Sequence, residues 1–174
     1  MSTLPEPIGE RPFMPGYGVE EANWSALPWL WAAERLTANR NYWVVTVSPE
    51  SVPHAMPVWG VWYDKSRRFM FSCGPESRKA RNLAHNSRVV VMTESTVECL
   101  SVEGVAHRVT DTTSCSQWIA RYVEKYASSM PDQTPEELVE FLGLNALFEV
   151  VPLKVMSVVE DPALFSTRPT RWRL

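Results

Sequence analysis

Three cations lie close together at the start of a predicted helix. Arg78, Lys79 and Arg81 follow a Gly-Pro turn, and that turn follows a strand-like segment, RFMFSC, at 68–73. The first N–H groups of a helix lack intrahelical acceptors and the helix dipole is positive there, so this position favours anions. The arrangement predicts a phosphate site. The charge run alone leaves a solvated basic turn as the alternative.

Spacing on the helix separates the roles of these cations. Arg78 and Asn82 are four residues apart, and Arg78 and Arg81 are three apart, so they share one helical face. Lys79 points about a quarter-turn away from that face. The three cations therefore cannot hold one phosphate equally, and one of them can serve a more distal part of an elongated anion. Ser77 and Asn82 can add polar contacts.

The strand that precedes this region contains two unusual positions. HAMPVWGVWYD, at 54–64, is apolar but includes Pro57 and Gly60. Proline cannot donate a ladder hydrogen bond, so it predicts an edge or a bulge, and glycine allows another group to approach the backbone closely. A flat ring could lie against such a backbone near the predicted phosphate site. An irregular barrel strand is the alternative interpretation.

Several segments together resemble a known family. PHAMPVWGVWYD, SRKARNLAHNSRVVVMTES and VEGVAHRVTD occur in this order within Tyr42–Asp111, and the chain ends in TRPTRWRL. This stretch resembles the flavin and deazaflavin oxidoreductases related to pyridoxamine 5'-phosphate oxidase. It is most similar to the actinobacterial branch that uses the deazaflavin coenzyme F420.

The resemblance implies a fold and a site. The fold would be mainly β with helices (α+β): a split β-barrel of the FMN-binding type, antiparallel and Greek-key, forming a homodimer with the cofactor between the two subunits. The residues that match the strand under the cofactor ring are Pro57, Val58, Trp59 and Gly60. The residues that match the phosphate motif are Ser77, Arg78, Lys79, Arg81 and Asn82.

The C-terminal Trp172 is a further candidate for cofactor binding. An indole left in water at a chain end would waste its apolar area, so we expect it to be docked. The resemblance suggests the dimer groove beside the cofactor, where Arg171 or Arg173 could meet an anionic group. Packing of Trp172 on its own barrel is the alternative. No catalytic residue is assigned, since neither His54 nor Tyr63, which flank the ring strand, has a supporting partner visible in the sequence.

The implied reaction is hydride transfer between F420 and a small, electron-poor organic substrate. The cofactor would carry the difficult chemistry. The third cation suits a deazaflavin with an anionic glutamate tail better than the shorter FMN. Two alternatives stay open: an FMN-binding oxidase or reductase of the same fold, and an F420-binding carrier protein without turnover.

Composition limits the other possibilities. The 174 residues suit one domain, which we place at 23–174 after an extended N-terminal arm at 1–22. The net charge of -3 disfavours a nucleic-acid partner. The absence of a long apolar run and of a secretory signal predicts a cytoplasmic protein without membrane contact. The cysteines and histidines show no metal-binding spacing, so we expect no metal.

Periodicity predicts the remaining elements. A helix over 24–38 would place Leu27, Leu30, Trp31 and Leu36 toward a core. Gly104 predicts a bend or bulge in a long strand. Two later helices are expected at 115–128 and from the capping box at Thr134. The predicted strands lie at 41–47, 54–63, 68–73, 88–94, 97–109 and 146–159.

Overall fold

The computed structural model describes residues 4–130 and 132–174, so the first three residues of the predicted arm lie outside the described part. The strands are β1 (Gly9–Glu10), β2 (Asn41–Val47), β3 (Pro53–Tyr63), β4 (Arg68–Cys73), β5 (Arg88–Thr93), β6 (Glu98–Val109), β7 (Ala146–Val159) and β8 (Thr170–Arg173). The α-helices are α1 (Trp29–Ala38), α2 (Arg78–His85), α3 (Thr112–Tyr126) and α4 (Pro135–Gly143). No helix in these ranges is long and apolar enough to cross a membrane.

Six antiparallel strands close into a barrel. Around the barrel the order is β7, β4, β3, β2, β5 and β6, and β6 pairs with β7 to complete the circle. The strands β2, β3 and β4 follow one another as hairpins, and β5 returns through α2 to lie beside β2, which is the Greek-key arrangement. The predicted antiparallel split barrel with accompanying helices is therefore confirmed.

The long strand β7 shares one of its edges between two partners. Residues 146–150 pair with β4, and residues 154–157 pair with β8, which in turn pairs with β1. On its other edge, β7 pairs with β6, and the register shifts between Glu103 and Gly104. A Cβ at Gly104 would lie 2.5 Å from the carbonyl oxygen of Val151, so glycine is needed at this close approach. The predicted bulge at Gly104 is confirmed.

Half of β3 has a free edge. Its residues 53–59 pair only with β2, and residues 60–63 pair only with β4. Pro57 lies in the half whose β4-side edge is unpaired, so its missing N–H costs no ladder bond on that side. The prediction of an edge at Pro57 is confirmed. We call residues 53–59 the β3 free edge.

The face that the first helix turns toward the core differs from the predicted one. Trp29, Ala32, Ala33 and Leu36 are buried, whereas Leu30 is 62% exposed. The prediction that Leu30 faces the core is wrong. The helix begins at Trp29, and the Trp29 indole N–H donates to Asp64 Oδ1 at 3.2 Å, so Trp29 holds the inward face and Leu30 lies about 100° away.

The N-terminal arm lies against its own barrel. Gly9 and Glu10 form β1 opposite Trp172 and Arg171 of β8. The Glu10 carboxylate pairs with Arg171 at 2.7 Å and with Arg173 at 3.2 Å. The C-terminal strand is therefore held between the arm and β7.

Candidate functional site

The start of α2 has the properties of an anion site. Ser77 is its N-cap, and Ser77 Oγ accepts a hydrogen bond from the N–H of Ala80 at 3.3 Å. Within the described ranges, the backbone N–H groups of Arg78 and Lys79 have no acceptor. The positive end of the helix dipole adds to the charge of both side chains. The arrangement can therefore hold a phosphate.

Asn82 anchors this helix to the barrel. Its side chain is 3% exposed, and Asn82 Nδ2 donates to Thr46 Oγ1 of β2 at 2.9 Å. The sequence places Asn82 on the same face of α2 as Arg78, and the predicted phosphate contact depends on that shared face. The side-chain amide of Asn82 nevertheless points inward. In this structure the amide of Asn82 contacts the barrel. A phosphate contact from Asn82 stays a prediction.

His54 of β3 lies within electrostatic reach of the predicted phosphate residues. It lies opposite Thr46 in the β2–β3 register, at the start of the β3 free edge. Burial lowers the pKa of His54, and the charges of Arg78 and Lys79 lower it further. Its Nδ1 is buried and has no hydrogen-bond partner among the described residues. The cations of α2 and the free edge of β3 are therefore neighbours.

Arg81 occupies a different position from the other two cations. Its side chain is exposed, and Arg81 Nη1 donates to the backbone carbonyl of Glu76 in the turn before the helix. The guanidinium thus lies over its own turn. This position agrees with the sequence argument that the three cations cannot act equally.

The four residues that match the ring strand lie in different surroundings. Pro57 is exposed, opposite Trp43 of β2, and Val58 is 9% exposed and belongs to the core. Trp59 is half-buried and stacks on Tyr126, with ring centroids 5.0 Å apart and planes 8° apart. Pro57 and Trp59, but not Val58, therefore remain open to a ligand at this edge.

Gly60 is covered by protein groups. A Cβ there would lie 2.2 Å from Phe69 Cζ, which explains the glycine. Its N–H donates to the Tyr126 hydroxyl at 2.9 Å, and its carbonyl lies 2.7 Å from the same hydroxyl and accepts from Lys125 Nζ at 3.0 Å. The close approach predicted at Gly60 is made by Phe69 and Tyr126.

A cavity of about 390 Å³ opens beside Trp59. Ser72, Cys73 and Gly74 line it where β4 leaves toward α2, and Tyr122 of α3 and Phe141 of α4 line its other side. The volume falls within the range of small-molecule sites. We call this the Trp59 cavity. It joins the predicted ring strand to the turn that leads to the phosphate residues.

Sequence reasoning missed a half-buried lysine behind this cavity. Lys125 Nζ donates to the Tyr42 hydroxyl at 2.8 Å and to the Gly60 carbonyl, and burial lowers its pKa to about 8. Burial also raises the pKa of Tyr126 to about 12. The available signal was spacing: Lys125 follows Trp118 by seven residues and therefore shares its inward face.

Trp172 lies in the core of its own chain. It is 0% exposed and meets Trp29 edge-to-face with ring centroids 5.7 Å apart. These surroundings match the alternative in which Trp172 packs on its own barrel. Contact of Trp172 with the cofactor groove stays a prediction. Arg171 and Arg173 pair with Glu10. Among the described residues, no group of His, Cys, Asp and Glu is arranged to hold a metal ion.

A closed Greek-key barrel of six antiparallel strands with accompanying helices is a split-barrel architecture. The sequence profile of one such family, pyridoxamine 5'-phosphate oxidase, matches residues 32–156. The chain belongs to this family.

Solved structures support the same fold. A conserved hypothetical protein from Mycobacterium tuberculosis is similar with a TM-score of 0.67 and 18% identity, covering 82% of this chain and 90% of that one. An F420 reductase is similar with a TM-score of 0.52 and 18% identity, covering 70% and 93%. The heme storage protein HutZ from Vibrio cholerae is similar with a TM-score of 0.53 and 21% identity, covering 66% and 82%. No curated protein sequence is a significant match.

Proposed function

We propose that this chain is an oxidoreductase that transfers a hydride between coenzyme F420 and a small, electron-poor organic substrate. The observation that carries the proposal is the cationic start of α2 beside the free edge of β3. There Arg78 and Lys79 act on His54, whose buried Nδ1 lacks a described partner. An anionic, planar cofactor fits both features.

Different residues would bind the phosphate and the ring of such a cofactor. Arg78, Lys79 and the N–H groups of the first helical turn would hold the phosphate. Pro57 and Trp59 would border the ring at the β3 free edge. When bound, F420 supplies the hydride. The stack of Trp59 on Tyr126 gives the adjoining cavity one rigid aromatic side, against which a small substrate can be positioned with little water between the reactants.

The first experiment is an equilibrium titration of the purified chain with F420 and FMN side by side. We expect tighter binding of F420. The closest alternative is the FMN enzyme of the same fold, and stoichiometric FMN in the isolated protein, or tighter FMN binding, would favour it. Binding of F420 without reduction of any enone, quinone or tetrapyrrole acceptor in a panel would favour the carrier function.

Charge removal tests the site itself. Lys79→Ala should weaken F420 binding by about 10- to 100-fold, because a charge-assisted contact contributes about 1.5–3 kcal/mol. Arg81→Ala should also weaken it, but less, since this guanidinium already donates to Glu76. Arg108→Ala, an exposed cation on β6, is the matched control. Unchanged F420 affinity in both α2 variants at low salt would instead favour the interpretation that these residues form a solvated basic turn.

We also propose that the chain forms a homodimer with a cofactor at the subunit interface. The outer face of β2, β3 and β5 is apolar: Trp43, 44% exposed, lies beside Met92, and Val45 lies between Ala55 and Val90. Such a patch on a sheet is suited to a second copy. It continues into the β3 free edge through Pro57, which lies opposite Trp43.

Sedimentation tests this assembly. The wild-type chain should sediment as a dimer, and Val45→Glu should shift it to monomer with weaker F420 binding. Val97→Glu, at a position that is 54% exposed and lies in the β5–β6 turn, is the control. A monomeric wild-type chain at micromolar concentration would contradict the proposal.

A further inference from the structure

A second cavity, of about 770 Å³, lies at the opposite end of β3 from the phosphate residues. Tyr63 and the β3–β4 turn form one side, and Trp118 and Arg121 of α3 form the other. Tyr63 is four residues beyond Trp59, a distance of about 13 Å along a strand. We call this the Arg121 cavity. None of the residues that match the ring site (57–60) or the phosphate motif (77–82) lines it.

The cavity has an excess of positive charge. Lys65, Arg67, Arg68 and Arg121 line it, against two carboxylates, those of Asp64 and Glu149.

Both carboxylates are already engaged by protein groups. Asp64 Oδ1 accepts from the indole N–H groups of Trp29 and Trp62, each at 3.2 Å. Glu149 accepts from Trp118 Nε1 at 3.1 Å and lies 3.6 Å from Arg68 Nε. Both carboxylates are therefore held by groups other than Lys65 and Arg121.

Arg68 pairs with Glu149, and Arg67, which forms no described ion pair, donates to the carbonyl of Pro5 and lies over the ring of Trp29. Lys65 and Arg121 are the other two cations. Within residues 4–130 and 132–174, neither forms an ion pair, and the one side-chain hydrogen bond of Arg121 is to the carbonyl of Gln117 at 3.1 Å. The chain has a net charge of -3, so a local cationic excess runs against its overall charge. Such an excess in a concave site attracts anions.

The position of Arg121 also favours a planar ligand. Its guanidinium carbon lies 4.0 Å from the centroid of the Tyr63 ring and 5.2 Å from that of Trp118. Aromatic contact restrains the guanidinium, which can itself stack on a planar ligand and can donate its N–H groups to a carboxylate. The restraint lowers the entropy that binding would cost.

We propose that the Arg121 cavity is a second binding site, for a planar aromatic carboxylate. The carboxylate meets Lys65 and the N–H edge of Arg121, and the aromatic ring stacks on the guanidinium held over Tyr63. A volume of about 770 Å³ is ample for such a molecule. The site is independent of the proposed F420 site, and its existence does not depend on that function.

The test uses the full chain with 2-naphthoate and its uncharged analogue 2-naphthalenemethanol as probes, titrated by calorimetry. Naphthoate should bind about 10- to 100-fold more tightly than the alcohol, the range expected for a charge-assisted contact. Naphthoate should also shift the Trp118 indole N–H resonance, identified by its loss in Trp118→Phe. This shift locates the probe.

Matched variants separate the two sites. Lys65→Gln and Arg121→Gln should each weaken naphthoate about 10-fold or more and leave F420 affinity unchanged. Lys79→Gln removes the same charge at the other site and should leave naphthoate affinity unchanged. Lys65 forms no described side-chain hydrogen bond, so its variant tests the charge without a packing change.

Three results would overturn the proposal. Equal affinity for acid and alcohol would remove the anion requirement. Naphthoate affinity unaffected by both Lys65→Gln and Arg121→Gln would show that the cavity is not the site. Loss of naphthoate binding in Lys79→Gln would assign the probe to the α2 site.

Discussion

Substitution of Trp172 separates a packing role from a cofactor role. Its side chain is 0% exposed, lies edge-to-face on Trp29, and sits on a strand held between β1 and β7. Truncation of a buried tryptophan to alanine costs about 3–5 kcal/mol, because the lost transfer free energy adds to the cost of a cavity. We expect Trp172→Ala to lower the free energy of unfolding by this amount.

A milder change at Trp172 has two opposing effects. Trp172 Nε1 is buried without an acceptor among the described residues, and an unsatisfied donor costs about 1–3 kcal/mol. Trp172→Phe removes that donor but also loses part of the ring volume. Because these terms oppose each other, we expect Trp172→Phe to remain within about 1.5 kcal/mol of wild type.

Urea unfolding and an F420 titration together decide the question. Midpoints compared at constant m give the stability change. If Trp172 acts only through packing, Trp172→Phe should bind F420 as wild type does. Two results would refute this reasoning: a cost below about 1 kcal/mol for Trp172→Ala, or a tenfold loss of F420 affinity in Trp172→Phe at unchanged stability. Deletion of 170–174 removes all of β8, so it should unfold the chain and cannot report on the cofactor.

The remaining predictions concern residues behind the proposed site. Asn82→Ala should lower stability by about 1–3 kcal/mol in urea unfolding, because the buried Thr46 hydroxyl loses its partner; a stability equal to wild type would contradict the anchoring role. Gly60→Ala should cost about 1–3 kcal/mol or more, since its Cβ would lie 2.2 Å from Phe69 Cζ, and a soluble variant with an unchanged midpoint would contradict the close packing. The pKa of Lys125 is about 8, below the unfolded value, so the unfolded chain binds more protons between pH 8 and 10, and stability should rise with pH across that window. Lys125→Met should lack this rise relative to wild type, and parallel pH profiles for the two proteins would exclude the low pKa.

Features set by neighbours in the chain were predictable. The capping box at Thr134 depends on residues three positions apart and forms as expected. The helix that opens at the cationic cluster also forms, from Arg78 to His85. Alternation and turn residues placed most strands, and β7 runs over 146–159 as predicted. The edge at Pro57 and the bulge at Gly104 were also predictable from the sequence. Proline lacks a backbone donor, and glycine allows a close approach of another backbone.

The contacts that individual side chains make in the folded protein were not predictable in the same way. The sequence marks Gly60 as a place of close approach, but only the meeting of β3, β4 and α3 shows that Phe69 and Tyr126 make it. Likewise, Trp172 enters the core because β8 pairs with the far end of β7 and with β1, contacts separated by many residues.

The same limit applies to charged residues. The sequence by itself determined the barrel strands, the cationic start of α2 and its likeness to one family, because these depend on local pattern. Only the tertiary structure decided that Asn82 contacts the barrel, that Lys125 donates to the Gly60 carbonyl, and that Arg121 lies over Tyr63. A charge or an amide acquires its partners from the packing of distant elements, and local spacing does not contain that information.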